Sequence, residues 1–155
     1  MLRLPLGERG HDVSIIISDD STLLDIPLIH RFLSEESTWA RGIPYATVEK
    51  AIRNSLSFGA YEDGRQIGFA RVVTDGATYG YLCDVFTAST HRGKGIARLL
   101  LEAILAHPDI QGLRRFNLAT TSAAGLYEKF GWKPLAMPQI HMERHFPDIY
   151  KRADG

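Results

Sequence analysis

Two Asp-Gly pairs, Asp63-Gly64 and Asp75-Gly76, constrain the fold of this chain more than any other feature of its sequence. Asp-Gly suits a two-residue hairpin turn, because such a turn needs positive φ at its central positions. The first pair joins Phe58–Glu62 to Arg65–Val73, and both runs read as strands. The second pair leads into a third run, Thr78 to Thr87. Three consecutive strands joined by tight turns predict an antiparallel meander.

The segments on either side have different periods. Val13 to Ser18 is a β-branched run that reads as a strand. Asp25 suits a helix cap with Pro27 in the first turn, and Ile26, Ile29, His30 and Leu33 follow helical spacing. Ser37 to Tyr45 reads as a loop, and Thr47 as the cap of a second helix buried along Val48, Ala51, Ile52, Ser55 and Leu56. After the meander, a polar connection from Ala88 to Lys94 leads into a helix from about Gly95 to Ala106. Its apolar stripe is Ile96, Leu99, Leu100, Ala103 and Ile104. Arg114 to Thr121 reads as a strand, so strand, helix and strand imply a right-handed crossover and a parallel pair. A short helix is expected from about Ser122 to Phe130, with Gly131 as its stop. Trp132 to Ala136 and Ile140 to Phe146 are expected as closing strands. The expectation is an α/β (α+β) fold in one domain, residues 1–155, with a mixed, mostly antiparallel sheet of about seven strands and flanking helices.

Composition narrows the function classes. Lys plus Arg equals Asp plus Glu at 18 each, so the basic surplus usual in nucleic-acid binders is missing. Cys83 is the only cysteine, so no internal disulfide is expected. There is no 18-residue apolar run for a membrane span, and Met1 to Asp12 lacks the apolar core of a secretory signal. A cytoplasmic protein is the expectation.

Arg92-Gly93-Lys94-Gly95-Ile96-Ala97 lies between a strand and a helix. The glycines permit unusual dihedrals and a close approach to a ligand. A helix start offers unpaired N–H groups and a partial positive charge, and Arg92 and Lys94 add cationic donors. The segment therefore suits a phosphate group, although a plain helix-capping turn has the same outline. A dinucleotide fingerprint would need a small residue where Arg98 stands, and the glycines lack the Gly-Lys-Ser/Thr ending of a P-loop.

The residues resemble the GNAT superfamily of N-acetyltransferases. Arg92, Gly95 and Ala97 fill the fixed positions of its Q/R-x-x-G-x-G/A signature. Leu126-Tyr127-Glu128-Lys129-Phe130-Gly131-Trp132 is similar to its L-Y-x-x-x-G-F segment. The element order also matches, and Ser37-Thr38-Trp39-Ala40, Asn54-Ser55-Leu56 and Gly68-Phe69-Ala70-Arg71 look like an uncharacterised bacterial subgroup. Thr87, Ser89 and Thr120 depart from the residues usual in the family, Val, Pro and Asn.

The resemblance implies acetyl-CoA as co-substrate and no metal. The strands ending near Thr87 and Thr120 would splay, with the pantetheine arm pairing along Val85, Phe86 and Thr87. The pyrophosphate would sit on Arg92, Gly93, Lys94, Gly95, Ile96 and Ala97, and Thr120 would touch the cofactor. An N–H near Thr87 would stabilise the oxyanion, the amine would attack directly, and Tyr127 would act as general acid. Asp84 is the first candidate for the base, although a satisfied structural carboxylate suits that position at least as well, and His30 and Glu62 are others. Trp39, Arg41 and Tyr45 lie on the loop that covers the acceptor site in this family, although Trp39 and Tyr45 also suit a core plug. The acceptor would be a small-molecule or protein amine, with no nucleic-acid or membrane partner, and homodimers are common in such folds. A non-catalytic CoA-binding sensor and a nucleotide-binding domain are the alternatives.

Three further patterns point away from chemistry. Cys83 sits mid-strand with no nearby histidine in sequence, which suits a buried thiol better than a nucleophile. If Ile140 to Phe146 is a strand, His141 and His145 lie roughly 13 Å apart, too far to share one ion. Arg114-Arg115 reads as a solvated strand start.

Overall fold

A computed structural model describes residues 2–6 and 13–151 of the chain. The strands are β1 (Leu2–Leu6), β2 (Val13–Ser18), β3 (Leu56–Glu62), β4 (Arg65–Thr74), β5 (Tyr79–Thr87) and β6 (Arg115–Leu118). The helices are α1 (Ile26–Arg31), α2 (Tyr45–Arg53), α3 (Ile96–Ala106) and α4 (Ala124–Glu128). The described strands form one six-stranded sheet, ordered β1-β2-β3-β4-β5-β6. Every neighbouring pair is antiparallel except β5 and β6, which are parallel. The mixed, mostly antiparallel α/β class expected from the sequence is what forms.

The chain folds as two compact units. One holds the sheet and α3, running to Asp25 and from Lys50 to Ala119. The other holds Ile26–Glu49 and the chain from Thr120 onward.

In the first unit the meander follows its turn chemistry. Asp63 and Gly64 have φ of 50° and 77°, the paired positive values the hairpin requires. At the next turn Gly76 has φ 73°, and the Asp75 carboxylate accepts from the N–H groups of Ala77, Thr78 and Tyr79. Hydrogen bonds from the Thr78 side chain and then from these amides hold its pKa well below the usual carboxylate range. α3 lies against β2, β3, β4 and β5 and buries Ile96, Leu99, Leu100, Leu101 and Ile104. Leu101 is fully buried and Ala103 only partly, so the buried arc is displaced from the predicted stripe. Gly68 permits the close approach of this helix, because a Cβ there would lie 2.9 Å from Ile96 Cγ2.

The second unit departs from helical regularity. After α1 the chain widens into a π-helical turn, Phe32–Glu36, in which Ser37 N–H donates to Phe32 C=O at 2.9 Å. Ser37 Oγ then donates to Leu33 C=O at 2.6 Å and accepts from Ala40 N–H, so the turn closes on its own side chain.

Several sequence expectations change. Six strands are described rather than about seven. β1 was not anticipated, and neither Trp132–Ala136 nor Ile140–Phe146 is a strand. Pro134, Pro138 and Pro147 remove ladder donors there. A 3-10 turn occupies Pro138–Ile140, and Met142 and Phe146 are 97% and 56% exposed. The metal-spacing argument for His141 and His145 loses its premise, since their stretch is not a strand; among the described residues no group of three metal-ligating side chains is placed to hold an ion. Thr47 lies inside α2 rather than capping it, because the helix begins at Tyr45 and Pro44 C=O accepts from the N–H groups of Thr47 and Val48. Ser55 and Leu56 lie beyond α2, with Leu56 opening β3. No helix among the described residues is long and apolar enough to cross a membrane.

Candidate active site

The glycine-rich turn enters α3 in the manner an anion site requires. Arg92 is extended, and Gly93 and Gly95 have φ of 78° and 79°. A Cβ at either glycine would meet nothing within 4 Å, so their role in this chain is the left-handed backbone itself. Gly95 caps α3 without any side-chain hydrogen bond, so the cap residue itself leaves the N–H groups of the first turn open to another acceptor. Arg92 and Lys94 are exposed beside them, and Ala97 is half-buried while Ile96 anchors the helix in the core.

β5 is the second component. It pairs with β4 to Thr87, but its parallel ladder with β6 runs only from Tyr79↔Arg115 to Leu82↔Leu118. The ladder stops at Leu118 because β6 itself ends there, and the five residues from Cys83 to Thr87 extend past it. At this point β5 carries an irregularity. Cys83 faces Arg71 and Phe86 faces Phe69, so Asp84 and Val85 together oppose Ala70. This two-against-one arrangement is a β-bulge. Asp84 takes φ 55° within it. The extra residue puts Phe86 on the face opposite Leu82 and against the ring of Phe69, 5.8 Å away.

The side chains around the bulge are polar and paired. Arg71 Nε donates to Asp84 Oδ2 at 2.9 Å, with both side chains largely shielded from solvent. Arg71 Nη1 donates to Ser55 Oγ at 3.0 Å, and Ser55 Oγ donates to Ala51 C=O at 2.6 Å. Asp84, weighed both as a base and as a structural carboxylate, is thus an ion-pair partner. Glu62, another candidate, lies 2.8 Å from His91 Nε2, while Thr90 Oγ1 lies 2.7 Å from His91 Nδ1. A neutral ring protonated on Nε2 satisfies both contacts, donating to Glu62 and accepting from Thr90. This chain ties the end of β3 to the turn that leads into Arg92. Burial pushes the Cys83 thiol up to about 12, a setting for an inert thiol rather than a nucleophile.

In the other unit, Tyr127 is buried and its ring meets Trp132 edge-on at 5.9 Å. Burial raises its pKa, so the phenol keeps its proton. Thr120 is exposed, and its Oγ1 accepts from Ala123 N–H at 3.0 Å where α4 begins. Trp39 and Tyr45 are 54% and 40% exposed, so neither plugs the core; Arg41 is exposed as well. Trp39 tilts against Phe32 at 6.3 Å, and Tyr45 meets His30 edge-on at 5.2 Å. His30 Nε2 lies 3.0 Å from Ile43 C=O, which makes Nε2 the donor and leaves Nδ1 as the basic nitrogen.

The bulge, Arg71 and His91 were not assigned from the sequence. One signal for the bulge was available: in an unbroken strand Leu82, Asp84 and Phe86 would share a face, which sets a carboxylate between two core residues. His91 offered none, since its partner Glu62 lies 29 residues away.

Residues 53–134 match the acetyltransferase (GNAT) domain family. The chain belongs to the GNAT superfamily. It is 32% identical over 136 residues to a candidate acetyltransferase of Gibberella zeae, covering 74% of this chain and 76% of that protein. A crystal structure of a GNAT-family candidate acetyltransferase from Xanthomonas campestris is 52% identical, with a TM-score of 0.87 over 89% of this chain and 97% of the other. Glucosamine-6-phosphate N-acetyltransferase from Arabidopsis thaliana shares the GNAT fold at 17% identity and a TM-score of 0.59, covering 85% and 98% of the two chains.

Proposed function

We propose that this GNAT chain acts as a single domain, residues 1–155, in the cytoplasm, transferring an acetyl group from acetyl-CoA to a primary amine within a ternary complex. The observation that carries the reading is the uncapped start of α3, entered through two left-handed glycines and flanked by Arg92 and Lys94. It directly follows a strand whose parallel ladder stops five residues short of its end. An anion and an extended, hydrogen-bonding arm are what these two features accept together.

Acetyl-CoA supplies an activated acyl carbon and a thiol leaving group. Arg92, Lys94 and the N–H groups of Ile96 and Ala97 hold the pyrophosphate, with Gly93 and Gly95 shaping the turn. Val85, Phe86 and Thr87 offer backbone to the pantetheine arm, and an N–H at the end of β5 polarises the acyl carbonyl. Thr120 keeps its hydroxyl proton for the same ligand. Tyr127, carried over from the family segment, donates a hydrogen bond to the departing sulfur. Asp84 is engaged by the Arg71 guanidinium and Glu62 accepts from His91, so His30 Nδ1 becomes the stronger candidate to accept the amine proton. Trp39, Arg41 and Tyr45 form the wall met by the acceptor, and Arg41 favours one that carries a carboxylate.

The test is release of free thiol from acetyl-CoA against a panel of amines, with CoA affinity titrated separately. Tyr127→Phe is expected to lower kcat on the order of 10²-fold, with CoA affinity unchanged within about twofold. Tight CoA binding with no thiol release on any amine, and no effect of Tyr127→Phe, would make the chain a non-catalytic sensor. Preference for ATP or NAD over CoA would remove both readings.

A further inference from the structure

We propose that Arg71 is a positioning residue: acting through Asp84, it holds the β5 bulge in the conformation that sets the course of Cys83–Thr87, the part of β5 beyond its ladder with β6, along which the acyl-CoA arm would lie. The proposal rests on the acyl-CoA reading above.

Three observations converge on it. First, the ladder between β5 and β6 ends at Leu82↔Leu118, and the bulge at Asp84 and Val85 follows within two residues. A bulge bends its strand and increases local twist, so it sets the direction in which β5 runs beyond the end of β6. Second, Asp84 holds φ 55°, which disfavours any residue with a Cβ. Such a conformation persists in a strand only where the surroundings fix it. Third, a device that fixes it is present. Arg71 stands opposite Cys83, at the edge of the bulge, and its guanidinium makes two contacts at once, to Asp84 Oδ2 and to Ser55 Oγ. Ser55 is anchored in turn on Ala51 C=O, in the last turns of α2. The rigid fork thus spans from a helix end to the bulge, a reach that the single ammonium of lysine cannot reproduce. The engaged carboxylate has its charge satisfied in the sheet, which is the work of a strut and not of a base.

The dihedral makes the proposal separable from a catalytic role. Glycine adopts φ 55° without help, so Asp84→Gly can keep the bulge with no carboxylate, whereas Asp84→Ala cannot. Two readouts are needed: CoA affinity by calorimetric titration, and hydrogen exchange of the Cys83–Thr87 amides in the ligand-free protein. Arg71→Met and Asp84→Ala are expected to weaken CoA binding roughly tenfold and to speed exchange at these amides, while Asp84→Gly recovers most of both losses. The pH profile of acetyl transfer by Asp84→Gly should keep the wild-type shape. Equal impairment of the Ala and Gly variants, Arg71→Met binding CoA like the wild type, or loss of one limb of the pH profile in Asp84→Gly would each overturn the proposal. Failure of the wild-type chain to bind CoA would sink the acyl-CoA reading, and the exchange experiment would then decide the strut by itself.

Discussion

Replacing Gly95 by alanine tests the turn at its weakest tolerance. Gly95 has φ 79° and ψ 19°, and a Cβ there meets no protein atom within 4 Å. The apo protein therefore feels no clash, only the left-handed dihedral, at about 1–2 kcal/mol for a residue with a side chain. Restricting the unfolded chain returns about 0.4–1 kcal/mol, so the net loss is about 1 kcal/mol. For a chain of this length that lowers Tm by roughly 2–4 °C. Gly112 provides the matched control: its φ is 80°, it also has nothing within 4 Å, and it lies past the opposite end of α3. That helix is eleven residues long, so about 16 Å of helix separates the two ends. Gly112→Ala should lose the same Tm. CoA affinity should divide the pair. In Gly95→Ala the new methyl intrudes where a phosphate would meet the helix N–H groups, and losing one charge-assisted hydrogen bond, about 1.5 kcal/mol, weakens binding roughly tenfold. In Gly112→Ala affinity should hold within about twofold. Scanning calorimetry and isothermal titration on the same samples give both numbers. Equal CoA affinity in the two variants, at equal loss of Tm, would refute the cradle.

Neutralising Arg92 and Lys94 together should weaken CoA binding several-fold at low ionic strength and flatten its dependence on salt, because both side chains are exposed and their attraction is screened; titration across a salt series reads this directly. Alkaline pH should destabilise the fold. Burial pushes Tyr61 and Cys83 up to about 12, while the unfolded chain releases these protons near roughly 10 and 8.5, so the native state binds more protons across that window and stability falls as pH rises through it. In urea melts, Cys83→Ala should remove the part of this decline that begins near pH ~9, and an unchanged slope would contradict the assignment.

What the sequence disclosed was whatever depends on local chemistry. Asp63-Gly64 specified its hairpin because the required φ values belong to those residue types, and β2 emerged with the bounds its β-branched run marks out. The α3 entry was legible for the same reason. The misreadings have tertiary causes. Ile140 to Phe146 alternates apolar and polar residues as a strand would, yet the prolines around it and the exposure of Met142 and Phe146 go with an open chain. Thr47 has a capping side chain, but Pro44 already supplies the carbonyl that starts α2. The polar partnerships were the least visible. Arg71 and Asp84 lie thirteen residues apart in sequence, and only the β4–β5 register brings them together. The carboxylate at 84 announced that a polar group was present, but the register shift beside it decides what that group can reach.

The order of strands in the sheet is the order in which the chain is written. Among the described strands each finds its partner in the next one along, and the one parallel crossover is the α3 connection into β6. Such a sheet can start from the Asp63-Gly64 hairpin and close the short β4–β5 turn next, before the two long connections, β2 to β3 and β5 to β6. β5 is therefore paired with β4 before its parallel neighbour arrives, and the β5–β6 ladder then runs until β6 itself ends at Leu118. Stopped-flow folding should show the meander forming ahead of the β5–β6 contact.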